Sequence, residues 1–281
     1  MPLPTSGQIT LDQIHVEAGG STGTEAKMND TDIRTLAGVP SGEISFSDLH
    51  GKSAAAVYVG AASLGPTNHP AWDSSSEASP NVSSIGQNGD LVILIHGCGS
   101  GMSTYFLDGL KISDASAINE VSHYDTDTTS AGTINWGVYW WIKASGQTNP
   151  YYYHTYDNYA GYGLSGGVMV FRNVTTLVGS ATNYAGGLRT YNDPPAVTSV
   201  SATPKLWVAV GVHKTYTGNS NSGATPSGYT KPITDRTNAS PYSTSSHMAY
   251  KIATNTSEDP GVLTSYQNKY QYGRAATLAF A

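Results

Sequence analysis

Charge is what this chain has least of. Only 12% of its 281 residues are Asp, Glu, Lys or Arg, about half the usual share. The 14 basic residues are scattered and outnumbered by 20 acidic ones, for a net charge of −6. With no basic run, nothing is placed to meet a phosphate backbone or an anionic membrane surface, so nucleic-acid binding is excluded from the expectation. The single cysteine, Cys98, leaves no internal disulfide and no thiolate metal cluster. It reads as a small buried hydrophobe beside a strand. No apolar run approaches the ~18 residues of a membrane span, and MPLPTSGQIT has neither a basic stretch nor an apolar core. The expectation is a soluble product made in the cytoplasm, without membrane insertion.

What is present is glycine (31), tyrosine (19 against 4 Phe) and many Ser, Thr and Asn. Apolar residues at 38% with 10% aromatics are enough to offset the entropy of ordering, so the chain folds. The composition is that of a turn-rich β protein covered in hydroxyls.

The first fifty residues carry a repeat. "SGQITLDQIH" (Ser6 to His15) returns as "SGEISFSDLH" (Ser41 to His50). Thr10 with Gln13 fits a capping box, and Ser45 with Asp48 is its acidic analogue. Leu11, Ile14 and Ala18 then share one face of a short helix stopped by Gly19-Gly20. Between the copies, "NDTDIRTLAG" predicts another short helix, with Asn29 or Asp30 as cap and Gly38 as stop. Three such pieces bury little surface on their own. They either pack on the rest of the chain or dock into a larger assembly; docking is the expectation, with Ile9, Leu11, Ile14, Ile44, Phe46 and Leu49 buried at the contact.

"LPTSGQITLDQI", "AGG" and "ISFSDLHGKS" also resemble the opening segment of many tailed-bacteriophage virion proteins. The resemblance implies a structural protein located in the virion, whose partners are other tail, neck or capsid proteins. A tail fibre or similar appendage is the role expected first, with capsid decoration or collar protein as the alternative. A homo-oligomer is the default for such proteins.

Beyond Val57 the apolar period is close to two. In "WGVYWWIK", Trp136, Val138, Trp140 and Ile142 face one way. "LVILI", "GVMVF", "LWVAVGV", "HMAYKIA" and "AATLAF" are further short β runs between Gly, Pro, Asn and Ser clusters. "YFLDGLKI" (Tyr105 to Ile112) fits a helical turn or a strand bent at Gly109. The fold class is mostly β: a jelly-roll-like antiparallel β-sandwich (55–281) after a helical docking segment (1–54). "WIKAS" and "YKIAT" place Ala144 and Ala253 at equal distances before Phe171 and Phe280. Two similar halves, about 89–175 and 204–281, are therefore expected. "PSGYT" and "YKIATNTSEDPG" resemble segments of jelly-roll modules of phage tail and appendage proteins.

Three stretches raise chemistry. "LVILIHGCGSG" (91 to 101) reads like the oxyanion loop of an α/β-hydrolase, and "GLSGG" fits G-x-S-x-G at Ser165, with Asp193, His213, Asp235 and His247 downstream. A nucleophile elbow needs a buried strand before the serine and a helix after it. Here polar sequence precedes Ser165 and the strand-like "VMVFRNV" follows, so Ser165 reads as a turn entering a strand. His96 reads as a strand end before a glycine turn. The expectation is a non-enzymatic protein; a glycan-active esterase or depolymerase using Ser165 is the competitor. "HYDTDTT" (His123 to Thr129) alternates carboxylates but lacks the Gly and Glu of a calcium loop, so neither metal nor cofactor is expected. "YYYHTYDNYAGY" (Tyr151 to Tyr162) is the candidate recognition surface, through Tyr153, Tyr156, Tyr159 and Tyr162. Tyrosine offers a flat face and a hydroxyl to a host-surface glycan at small entropic cost.

Overall fold

The computed structural model describes residues 3–20, 22–52, 54–63, 67–68, 82, 84–100, 107–111, 118–124, 133–145, 151–154, 163–185, 191–216, 224–236, 242–265 and 271–281. Two short helices lead, α1 (Leu11–Glu17) and α2 (Thr31–Ala37), then a 3₁₀ turn (Phe46–Leu49). The strands follow: β1 (Val57–Ser63), β2 (Thr67–Asn68), β3 (Leu91–Ser100), β4 (Leu107–Lys111), β5 (Asn119–Tyr124), β6 (Thr133–Ile142), β7 (Tyr151–His154) and β8 (Gly163–Arg172). Then come β9 (Leu177–Ala185), β10 (Tyr191–Asn192), β11 (Leu206–Tyr216), β12 (Thr230–Arg236), β13 (Tyr242–Ile252), β14 (Thr264–Ser265) and β15 (Gln271–Phe280).

The strands build two antiparallel sheets that face each other, a β-sandwich as the period-two pattern predicts. The first runs β1-β8-β3-β6-β5, with β2 also on β8; the second runs β12-β13-β11-β15-β9. Counted along the chain, both have the same order: first strand, fifth, second, fourth, third. The registers match as well. Leu91 lies between Ile142 and Phe171, and Leu206 lies between Ile252 and Phe280. Each first strand is bulged at a Val-Gly pair, Val59-Gly60 in β1 and Val178-Gly179 in β9. Each third strand is bulged too, β5 between Glu120 and Ser122 and β12 between Thr230 and Ile233. The repeating unit thus begins at β1 and β9, ahead of Leu91 and Leu206.

Alternation sends Leu91, Ile93, Ile95, Trp136, Val138, Phe171, Leu206, Val208, Val210 and Phe280 into one buried cluster between the sheets. Each such side chain contributes about 1.5–3 kcal/mol on burial. Trp140 and Ile142, read on the same face, pack at its margin. The outer faces are covered as well, which is why the strands read as nearly continuous apolar runs. Val92, Leu94, Tyr139 and Trp141 lie beneath Val82 and Ile85, while Trp207, Ala209 and Ala249 lie beneath Val197, Tyr229 and Leu263.

Three charged groups hold the first cover in place. The Lys143 ammonium donates to the carbonyls of Val82, Ile85 and Gly86 at 3.2, 3.3 and 2.9 Å. Buried Asp90 accepts two bonds from the Arg172 guanidinium, at 2.9 and 3.1 Å. "YFLDGLKI" resolves toward strand: β4 pairs with β7 and shifts register between Leu107 and Leu110, around Gly109.

Candidate functional site

The N-terminal unit is built by the local rules that its sequence states. Thr10 caps α1 with the full reciprocal box to Gln13, and at the 3₁₀ turn the Ser45 N–H and hydroxyl both donate to the Asp48 carboxylate at 2.8 Å. Those Ser45 bonds hold the Asp48 carboxyl below its usual range. Asp30 rather than Asn29 occupies the N-cap of α2; its carboxylate accepts from Lys27 N–H at 2.8 Å. Gly38 ends α2 in the left-handed region, φ 75°. The start and end of the unit are tied together: Leu3 N–H donates to Lys52 O at 2.8 Å and Gly51 N–H to Pro4 O at 3.0 Å.

That closure redirects the predicted docking set. Ile9, Ile14 and Leu49 are buried with Leu3, Ile33 and Ala37 in a core of the unit's own, with Leu11 and Ile44 half-buried against it. Three of the six are therefore buried within the unit itself, because a compact unit of this size needs their area for its own core. Phe46 remains on the surface, 44% exposed, as does Val16 at 41%, which sequence reading missed.

Polar contacts tie the unit through its junction to the base of the sandwich. Glu17, buried, accepts from Ala54 N–H at 2.9 Å, and the Asn173 amide donates to Ala55 O at 3.2 Å. Beside this seam lies a half-open cavity of about 860 Å³, lined by Ala54, Ala56, Thr176, Val178, Pro204 and Ile252 among others. Lys205 borders it, its pKa lowered by burial against a smaller opposing pull from Glu17.

The tyrosine-rich stretch is met only at its start. Tyr153 lies in β7, which pairs with β4 in a separate two-stranded ribbon. Tyr156, Tyr159 and Tyr162 lie outside the described residues. Gly163, the first described residue after them, opens β8 at the end of the sheet opposite Arg172, hence opposite the N-terminal unit.

The residues of the hydrolase pattern are not brought together. Ser165 lies within β8 rather than at a turn, fully buried on the inner face, 2.7 Å from Ser246 Oγ of the facing sheet. His96 is likewise mid-strand, because β3 continues through Gly97 to Ser100. It lies on the outer face of the first sheet, stacked on Tyr139 with ring centroids 5.8 Å apart. Gly137 opposite is bare so that this ring fits; a Cβ there would come within 2.4 Å of Nε2. His213 and His247 lie on the outer face of the second sheet, stacked on one another at 4.9 Å. Burial holds the His213 pKa well below its usual value, with His247 and Lys231 adding to the effect; burial and then Lys231 push His247 down to about 3. Both rings are therefore neutral at pH 7. On the same outer face Ser245 and Thr277 are also buried, polar positions not legible from spacing alone, whereas Thr244 and Ser246 turn inward. Asp193 is held above the usual carboxyl range by burial and by Asp259.

Of "HYDTDTT", only His123 and Tyr124 are described, in β5. Among the described residues no group of three His, Cys, Asp or Glu gathers to hold a metal ion. No helix among the described residues is long and apolar enough to cross a membrane. Comparison of the chain with protein-family models, with curated proteins and with solved structures finds no match in any of the three.

Proposed function

We propose that this chain is a non-enzymatic structural protein of a tailed-phage virion. Its N-terminal unit docks to the particle, and its β-sandwich projects outward as a tail fibre or similar appendage. The observation that carries the reading is polarity along the sandwich. The segment with the virion-type phrases is a small unit with its own core at one end, whereas Gly163, which follows the tyrosine-rich stretch in the sequence, opens β8 at the other. A docking unit and a recognition surface on opposite ends suit a projecting protein. Glycan held by tyrosine faces gains only about 0.5–1.5 kcal/mol per ring beyond area burial, so many copies on one particle would act together. Ser165 supports the non-enzymatic reading, since a buried hydroxyl between two sheets has no room for an acyl substrate.

The docking surface on this reading is Phe46 with Val16, not the buried isoleucines. Deleting residues 1–52 should abolish incorporation into particles, and Phe46→Asp should do so in a chain that is still fully folded. Normal incorporation of a folded Phe46→Asp chain would remove Phe46 from the contact. Normal incorporation of the truncated chain would overturn docking through this unit altogether.

A further inference from the structure

The two sheets have four edge strands, β1 and β5 in the first, β9 and β12 in the second. Unpaired edges are templates for another strand, and proteins blunt them with charge, proline, bulges or brevity. β12 carries Lys231, Pro232, Asp235 and Arg236, and β5 carries Glu120 with a bulge in its middle. β1 has only Gly60–Ser63 in regular register beyond its bulge. β9 differs. From Gly179 to Ala185 it pairs regularly with β15, and over that span it has no charged residue and no proline.

The direction of its backbone groups follows from the ladder. Thr176 and Ala281 exchange both N–H···O bonds, at 3.2 and 2.9 Å. In antiparallel pairing the bonded residues then alternate, so Gly179, Ala181, Asn183 and Ala185 turn toward β15. Ser180, Thr182 and Tyr184 turn their N–H and C=O outward. Ser180 and Thr182 are also exposed. Among the described residues the backbone bond to this edge lies at the bulged end of the strand, where Ser201 N–H donates to Val178 O at 2.9 Å.

We propose that this edge pairs with the same edge of a second copy, antiparallel about a two-fold axis at Thr182, joining the two second sheets into one. The outward residues are spaced evenly about Thr182. Self-pairing sets Thr182 against Thr182 and Ser180 against Tyr184, so every outward donor meets an acceptor. Lack of charge removes the like-charge repulsion that self-pairing would otherwise create, and a Thr–Thr cross-strand pair is favourable. The contact is short compared with a permanent interface, so association depends on concentration. This inference does not rest on the virion reading.

Sedimentation of the full chain over a concentration series should show reversible dimers. Thr182→Pro should weaken dimerisation by about tenfold or more without unfolding the chain, because the N–H it removes points away from β15. Ser180→Lys should do the same by setting a charge on each edge, and it decides the matter if the proline variant fails to fold. A wild-type chain that stays monomeric throughout, or a folded Ser180→Lys chain that dimerises as wild type does, overturns the proposal.

Discussion

His213 and His247 show how a single residue type reads differently once its surroundings are fixed. In the sequence they were candidates for a base; in the fold they are buried and neutral, stacked at 4.9 Å on the outer face of the second sheet. The two sheets solve the same packing problem with mirrored choices. His96 faces Gly137 in the first sheet, and His247 faces Gly211 in the second. Burial has a consequence for pH. Unfolded histidine titrates near pH 6.5, while folded His247 is pushed down to about 3. Between those values the unfolded chain binds more protons than the folded one, so stability falls as pH drops. It is fully present above about pH 6.5 and is lost progressively toward pH 3. Lys231 adds to the effect by repelling a second positive charge. Thermal midpoints measured from pH 7.5 to 4 should fall, and the slope should be shallower in His247→Gln. An equal slope in that variant would exclude His247 as a cause.

At the scale of elements, what matters is how close the two sheets come. Gly97 in β3 faces Val212 in β11 across the core, and a Cβ at Gly97 would lie 1.9 Å from Val212 Cγ1. Gly97→Ala should therefore cost about 1–3 kcal/mol by forcing the sheets apart. Val212→Ala in the same chain should recover part of it, since it opens the space that the new methyl needs; denaturant midpoints of the two single variants and the double variant measure the coupling. If the double variant shows only the sum of the single losses, the contact is not the cause. The glycines of "HGCGSG" make the same point. They read as a turn because glycine usually marks one, but β3 runs through Gly97 and Gly99. The bareness of Gly97 serves close sheet packing, which depends on a partner strand more than a hundred residues away in the chain.

At the scale of the molecule, the duplicated order of strands sets how the fold holds together. Each half of the β chain completes one sheet, and among the described residues the inner face of each is covered by the other. Neither half buries its core alone. Fragments 55–176 and 177–281 expressed separately should lack cooperative unfolding, and mixing them should restore a folded complex, readable by near-ultraviolet circular dichroism. A half that melts cooperatively alone would show that its outer cover suffices. The halves were partly visible beforehand, in the matched positions of Phe171 and Phe280. A stronger signal went unread: "YVGAAS" at Tyr58 to Ser63 returns as "LVGSAT" at Leu177 to Thr182, marking the bulged first strand of each sheet.

The sequence by itself determined what local physics governs. Capping boxes, the glycine stop after α2, the period-two strands and the mostly β sandwich were all legible, because each depends on residues within a turn or a strand of one another. Only tertiary structure decided which apolar positions of the N-terminal unit stay on its surface. Ile9, Ile14 and Leu49 look the same as Phe46 until the unit closes and buries three of them. It also decided that Ser165 faces Ser246 rather than a histidine, and that β9 lies at the edge of its sheet. Those facts depend on which strands become neighbours, and hydrophobic alternation gives a strand its faces but does not choose its neighbours.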